Sequence, residues 1–180
     1  MSIPVMIIGI LVLIVLIQYN YLIKLKNKVK QAKSGIDVYL NQRFDLIPNL
    51  VECVKGYSKH EKEIILNVTK MREQYINDKN KNIKQAEKLN NNINKIIIVA
   101  ENNPEIKANE QFLKLQKSLS KMESQLQAAR RIYNNEVTKY NTRISIVPIN
   151  IVAKIFGFKE EKLFEIEDFK KDNIDINLEG

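Results

Sequence analysis

The sequence predicts an all-α protein, with an N-terminal transmembrane helix followed by an antiparallel four-helix bundle with long helices. First, no charged residue occurs before Lys24. Second, apolar residues recur at steps of three and four from about residue 22 to residue 144, which is the spacing of amphipathic helices. Third, the 180 residues include only five Gly and four Pro, the residues that most often interrupt helices.

The first element is the predicted membrane anchor, residues 1–23. Every residue from Ile3 to Ile17 is apolar, and the uncharged stretch continues to Ile23. About 20 such residues in a helix cross the hydrocarbon core of a bilayer. Tyr19 and Tyr21 lie where an interfacial aromatic belt is expected. A cleaved signal peptide would have a basic segment before the apolar run and a small-residue cleavage site after it, and neither is present.

The residues that follow the anchor predict its orientation. Five lysines come before the first acidic residue, Asp37; they are Lys24, Lys26, Lys28, Lys30 and Lys33. The positive-inside rule therefore places the C-terminal part in the cytoplasm, attached to the membrane by a single span. The region from Lys24 to Lys33 is also positioned to meet anionic lipid headgroups.

Residues 24–158 form the predicted bundle, in which four apolar stripes mark four helices. They run through residues 22–40, 47–75, 86–100 and 112–144. Pro48 marks one break, Ser58 to Glu61 resembles a capping box with a kink, and Asn77–Asn82 is loop-like. Asn102 to Glu105 reads as a helix stop and restart, so the fourth helix runs from about Asn109 to Thr142. A short amphipathic helix is expected within residues 151–158, and the acidic tail, residues 159–180, is expected to be partly disordered.

Few residues are available for chemistry. Cys53 is the only cysteine and His60 the only histidine, which excludes an intrachain disulfide and a cysteine zinc cluster. His60 with Glu63 supplies two ligands at most, fewer than a zinc site needs. Cys53 precedes Val54 in an apolar stripe, where a free cysteine is usually a small buried hydrophobe. We therefore predict no catalytic, cofactor-binding or metal-binding residues, and no enzymatic activity.

The net charge of +8 suggests an anionic partner, but the residues that carry the positive charge are mostly lysines, which argues against nucleic acid. The 29 basic residues include only five arginines, the residue best suited to bidentate recognition of phosphates and bases. The simpler interpretation is a lysine-rich solvated surface. Nucleic acid is consequently not the expected partner, although a basic binder of nucleic acid or lipid headgroups stays among the alternatives.

A cluster of polar residues near Pro48 is the candidate interaction or structural site. It comprises Arg43, Asp45, Asn49, Glu52 and Glu61. Arg43 falls in the register of the first apolar stripe and Glu61 in that of the second, so both are expected near the core. Asp45 is expected to cap the helix that restarts at Leu46, and Arg43 and Glu52 are expected to face each other or a partner. Such groups can fix helix register or, less often, bind a partner.

The same region resembles the LemA family. The string Asp45-Leu46-Ile47-Pro48-Asn49-Leu50-Val51, here called the DLIPNLV block, is the most specific part of the resemblance. Further matching positions include Asn103-Pro104, Arg130 to Asn134, Tyr140-Asn141 and Ala153 to Phe158. The resemblance implies a bacterial, membrane-anchored, all-helical bundle with no established catalytic activity.

Together these observations favour a non-enzymatic scaffold or protein-interaction module at the membrane, with an unknown protein partner. A hydrolase or metal-binding protein built on Glu52, His60, Glu61 and Glu63 is the alternative from another class, and it requires that these side chains converge on one pocket.

Overall fold

The computed structural model describes residues 3–55, 62–78 and 83–164, and every regular element in these ranges is an α-helix. In chain order they are α1 Ile3–Phe44, α2 Ile47–Val54, α3 Lys62–Asn77, α4 Ile83–Glu101, α5 Pro104–Lys107, α6 Glu110–Ser145 and α7 Ile149–Ile155. The all-α class and the long apolar N-terminal helix are confirmed. The arrangement as four bundle helices and the three segment boundaries stay predictions.

The apolar run and the lysine-rich segment form one uninterrupted helix, α1. Its first half exposes its apolar side chains, whereas a buried stripe begins at Leu22 and continues through Leu25 and Val29. Among the described residues, α1 is the one helix long and apolar enough to cross a membrane by length and composition.

The helix breaks follow local chemistry. Pro48 lies in the first turn of α2, where its missing N–H costs no helical hydrogen bond. Asn103 caps α5 by accepting a hydrogen bond from the Glu105 N–H at 3.1 Å. Asn109 caps α6 by accepting from the N–H groups of Gln111 and Phe112 at 2.8 and 3.2 Å. The predicted capping box from Ser58 to Glu61 and most of the predicted 77–82 loop lie outside the described residues.

The described residues divide into two compact units. Unit one contains residues 3–30 and 132–164, and unit two contains residues 31–131. In unit two, Phe44 meets Tyr75 edge to face, with ring centroids 5.0 Å apart, beside buried Ile47 and Leu50. In unit one, Val137, Tyr140 and Ile144 of α6 are buried with one face of α7.

Candidate functional site

The DLIPNLV block forms the turn after α1 and most of α2 in unit two. The α2 residues Ile47, Leu50 and Val54 are buried, at the steps of three and four that define one helix face. This apolar face holds α2 in the core. The polar residues of the block consequently lie either at the helix junction or on the opposite face.

Arg43 is the buried centre of a polar cluster. Its side chain is 2 % exposed and forms an ion pair with Glu123 of α6 through Nη1. Its Nη2 donates a hydrogen bond to Oδ1 of Asn94 in α4 at 2.7 Å. Asn90, one turn earlier in α4, donates to the same Glu123 carboxylate at 3.5 Å. The expectation of a core position for Arg43 is confirmed, and its guanidinium joins α1, α4 and α6 within unit two.

Burial has a measurable electrostatic consequence at Arg43. Removal of the guanidinium from water, with the like charge of Arg130 as a smaller contribution, lowers the pKa of Arg43 to about 10. Burial also lowers the pKa of Arg130, which the carboxylate of Glu87 partly opposes. Arg43 is still cationic at neutral pH. Its buried charge therefore requires partners inside the protein.

The prediction that Asp45 caps α2 is wrong. The N-cap residue is Leu46, and no side chain caps this helix end. The Asp45 carboxylate is 67 % exposed and lies 3.4 Å from Nη2 of Arg72 in α3. Nε of the same arginine donates to the Phe44 carbonyl oxygen at 2.9 Å. Arg72 therefore supplies a hydrogen-bond donor to the carbonyl group at the end of α1. Its ion pair with Asp45 directs that carboxylate to α3 and not to the backbone N–H groups of α2.

Asn49 and Glu52 lie on the exposed side of α2. The Glu52 carboxylate is 75 % exposed and forms an ion pair with Lys55, at 3.7 Å. The prediction that Arg43 and Glu52 face each other is wrong, because Arg43 points inward to α4 and α6 while Glu52 points outward. Asn49 and Glu52 are three residues apart on one exposed side of α2, and Asp45 is exposed in the turn before this helix. These three polar residues are called the α2 surface below. Glu61 and His60 lie outside the described residues.

Cys53 is half-buried and unbonded. Burial, with a smaller contribution from the charge of Glu52, raises the pKa of the Cys53 thiol. A raised pKa reduces the thiolate fraction at neutral pH, which is the opposite of what a nucleophilic cysteine requires. In the ranges that the structure describes, no three His, Cys, Asp or Glu side chains come together as a metal site would require.

A second polar arrangement occurs in unit one, where two Tyr-Asn pairs of α6 hold the chain after α7. Asn141 donates to the Glu161 carbonyl oxygen at 2.8 Å and accepts from the Glu161 N–H at 3.0 Å. Asn134 repeats this pattern at Phe164, at 3.0 and 2.7 Å. The hydroxyl groups of Tyr140 and Tyr133 donate to the carbonyl oxygens of Lys159 and Lys162, at 3.0 and 2.9 Å. These six bonds are called the tail ladder.

The tail ladder works because two repeats have the same length. The Tyr-Asn pairs are seven residues apart, which is about 10.5 Å along a helix. Their partners on the tail are three residues apart, which is about 10 Å in extended chain. Burial and the nearby Glu161 carboxylate raise the pKa values of Tyr133 and Tyr140, so both hydroxyl groups stay protonated donors. Residues 159–164, the start of the tail that is predicted to be partly disordered, are consequently held by hydrogen bonds to their main chain.

The polar cluster around Arg43 and the tail ladder both lie in the part of the chain that is similar to known proteins. A family model described as the LemA family matches residues 32–178, which include the DLIPNLV block and the tail ladder. The chain belongs to the LemA family. Protein LemA of Metamycoplasma hominis is 22 % identical over 173 residues, which cover 94 % of this chain and 79 % of that protein.

The sequence did not predict which residues pair with Arg43 and Asp45. Glu123 and Asn94 supply the partners of Arg43, and Arg72 supplies the partner of Asp45. The sequence pattern that could have indicated these partners is weak. Glu87, Asn90 and Asn94 are polar at helical spacing beside an apolar stripe, which is also how an ordinary solvated helix flank appears.

Unit one also contains a cationic cleft of about 420 Å³ between α1 and α6. Its polar lining includes Tyr21, Lys28, Glu136, Thr138, Lys139, Thr142 and Arg143. The Arg143 guanidinium lies over the Tyr21 ring, 5.1 Å from the centroid, and its buried Nε has no acceptor among the described residues. Lys139 is paired with Glu136 at 2.8 Å. Three cations against one carboxylate make this cleft suitable for an anion.

Proposed function

We propose that this LemA-family protein is a non-enzymatic, membrane-tethered interaction module whose cytoplasmic helical part recruits a protein partner. The observation that carries the proposal is the contrast between buried and exposed residues in and next to the DLIPNLV block. Ile47, Leu50 and the preceding Arg43 are buried in the core, whereas Asp45, Asn49 and Glu52, the α2 surface, remain exposed. An exposed, partly acidic surface on a firmly packed helix suits contact with a partner that carries positive charge.

The membrane part of the proposal rests on α1. Its apolar half is exposed and long enough to cross a bilayer, and its lysines follow directly. The positive-inside rule supports a cytoplasmic C-terminal part at a bacterial inner membrane.

Topology is tested with a reporter fused after Gly180. We expect an alkaline phosphatase fusion to be inactive and a green fluorescent protein fusion to be fluorescent, because the former folds only outside the cytoplasm. The matched control replaces Lys24, Lys26, Lys28 and Lys30 by Gln, which should weaken the orientation bias. A phosphatase fusion that is active with the natural lysines would overturn the cytoplasmic assignment.

The partner is tested by photo-crosslinking in living cells from positions 49 and 52. We expect one protein to be captured from both positions, since they share a face of α2. Lys114, an exposed residue of α6 in the same unit, is the control position and should not capture it. Glu52→Ala should abolish capture from position 49 while changing the melting temperature little, because Glu52 is 75 % exposed. Equal capture from positions 49 and 114, or none from 49 and 52, contradicts the proposal.

The cationic cleft supports a second role, the binding of anionic lipid headgroups by unit one. Lys28 belongs to the lysine-rich segment, and Tyr21 places the cleft beside the end of the apolar run. A phosphate group could accept hydrogen bonds from Arg143, which is already oriented by its stacking on Tyr21. The hydrolase alternative draws no support from Glu52, whose carboxylate points to solvent and pairs with Lys55.

A further inference from the structure

The outer face of α7 is unusually apolar for a surface helix. Ile151, Ile155 and Phe156 are 57, 72 and 50 % exposed, and the preceding Val147 is 70 % exposed. The opposite face packs into unit one through buried Ile149, Val152 and Ala153. Lys154 is the only charged residue of the helix and lies on the same exposed side as Ile151. An exposed helix side that is apolar apart from one lysine is typical of a surface that contacts something other than water.

The position of this face identifies what covers it. The Phe156 ring contacts the Tyr19 ring of α1, with centroids 4.8 Å apart, and the Phe158 ring lies 5.9 Å from the same tyrosine. Gly157, at φ +70°, provides the left-handed turn that lets both phenylalanines reach Tyr19. Tyr19 is four residues before Ile23, which is about 6 Å along the helix axis. The end of α7 therefore packs against the anchor inside the uncharged stretch that ends at Ile23.

That depth agrees with the behaviour of interfacial helices, which insert about 5–10 Å into the boundary between headgroups and acyl chains. The charge pattern agrees as well. The Lys26 ammonium group, beyond the end of the apolar run, lies 5.9 Å from the centroid of the Phe158 ring. Phe158 thus lies next to the Tyr19 ring on its membrane side and next to the Lys26 ammonium group on its aqueous side. A long lysine near a membrane surface likewise has its apolar stem on the membrane side and its charged end in water.

We propose that α7 is an interfacial membrane helix, and that its exposed Ile151 and Ile155, with Val147 before it, insert into the leaflet beside the span. The bilayer is the occupant of this face because the face is continuous, through Phe156 and Tyr19, with the lipid-facing surface of the span. The proposal rests on the membrane span of the proposed function. It adds a second attachment point, which comes from the far end of the chain and fixes unit one at the membrane surface.

Depth-dependent fluorescence quenching tests this insertion in the full-length protein. Cys53 is replaced by Ala, and single cysteines at positions 155, 10 and 98 are labelled with an environment-sensitive fluorophore. The protein is reconstituted into vesicles of phosphatidylcholine and phosphatidylglycerol, with or without bromine atoms near the top of the acyl chains. Ile98 is the matched control, because it is 56 % exposed and apolar but belongs to unit two. Ile10 reports on the span itself.

We expect the label at 155 to emit at shorter wavelength than the label at 98 and to lose at least half its intensity in brominated vesicles. The label at 98 should not respond to bromine. If 10 is quenched and 155 is not, the interfacial helix is overturned while the span stands. A short-wavelength but unquenched label at 155 would mean that protein, such as a second copy, covers this face. If 10 is not quenched, the span and the interfacial helix both fail.

Discussion

Replacing Glu123 by Gln is expected to reduce the free energy of unfolding by about 3 kcal/mol. The reason is the Arg43 side chain, which is 2 % exposed and would be left without its counter-ion. A buried charge without a partner costs far more than the ion pair itself contributes, because the guanidinium cannot recover its hydration. For a chain of this size the loss corresponds to a fall in melting temperature of roughly 6–12 °C. Circular dichroism of the detergent-solubilised protein would measure it.

Substitution of the other member of the ion pair, Arg43, distinguishes this explanation from a general loss of contacts. Arg43→Met should cost less than Glu123→Gln, since Glu123 is 26 % exposed and can be hydrated when left alone. The double variant should be more stable than Glu123→Gln by about 1 kcal/mol or more, because no buried charge remains. Glu110→Gln is the control in the same helix; its exposed pair with Lys114 should change stability by less than about 0.5 kcal/mol. Equal effects of Glu123→Gln and Glu110→Gln would contradict the buried-charge account.

Removal of the two ladder asparagines is expected to release residues 159–164 from α6. Asn134→Ala and Asn141→Ala each remove two hydrogen bonds to the tail. With about 1 kcal/mol per bond, each variant should speed local amide exchange about thirtyfold, and the double variant by several hundredfold or more. Hydrogen exchange of the Glu161 and Phe164 amides, followed by mass spectrometry, reports the effect directly. The α6 amides should keep their protection.

Asn135→Ala is the matched control, because Asn135 is adjacent to Asn134 but exposed. It should leave exchange of the tail unchanged. The two single variants should also differ in place, since Asn141 binds Glu161 and Asn134 binds Phe164. If neither asparagine variant accelerates exchange of these amides, the tail is held by its apolar contacts, such as buried Phe164, and the ladder is incidental.

Local sequence patterns predicted the secondary structure closely, because helix formation depends on residues within a few positions of each other. The spacing of apolar residues located the buried stripes, from Leu22 in α1 to Ile144 in α6. Asn103 and Pro104 identified a helix restart, since capping and the absence of a proline N–H are local effects. The uncharged run before Lys24 similarly identified the long apolar helix.

Which polar groups form hydrogen bonds and ion pairs with each other depends on the tertiary structure. Asn94 lies 51 residues from Arg43, and Arg72 lies 27 residues from Asp45, so no local spacing rule connects either pair. Asp45 had the right position and chemistry for a cap, yet a guanidinium from α3 competes for its carboxylate. The Tyr-Asn pairs of α6 were visible in the sequence, but their partners are main-chain groups, which every residue carries and no sequence pattern marks. Packing of distant helices selects such partners, and that selection depends on the relative position of whole elements.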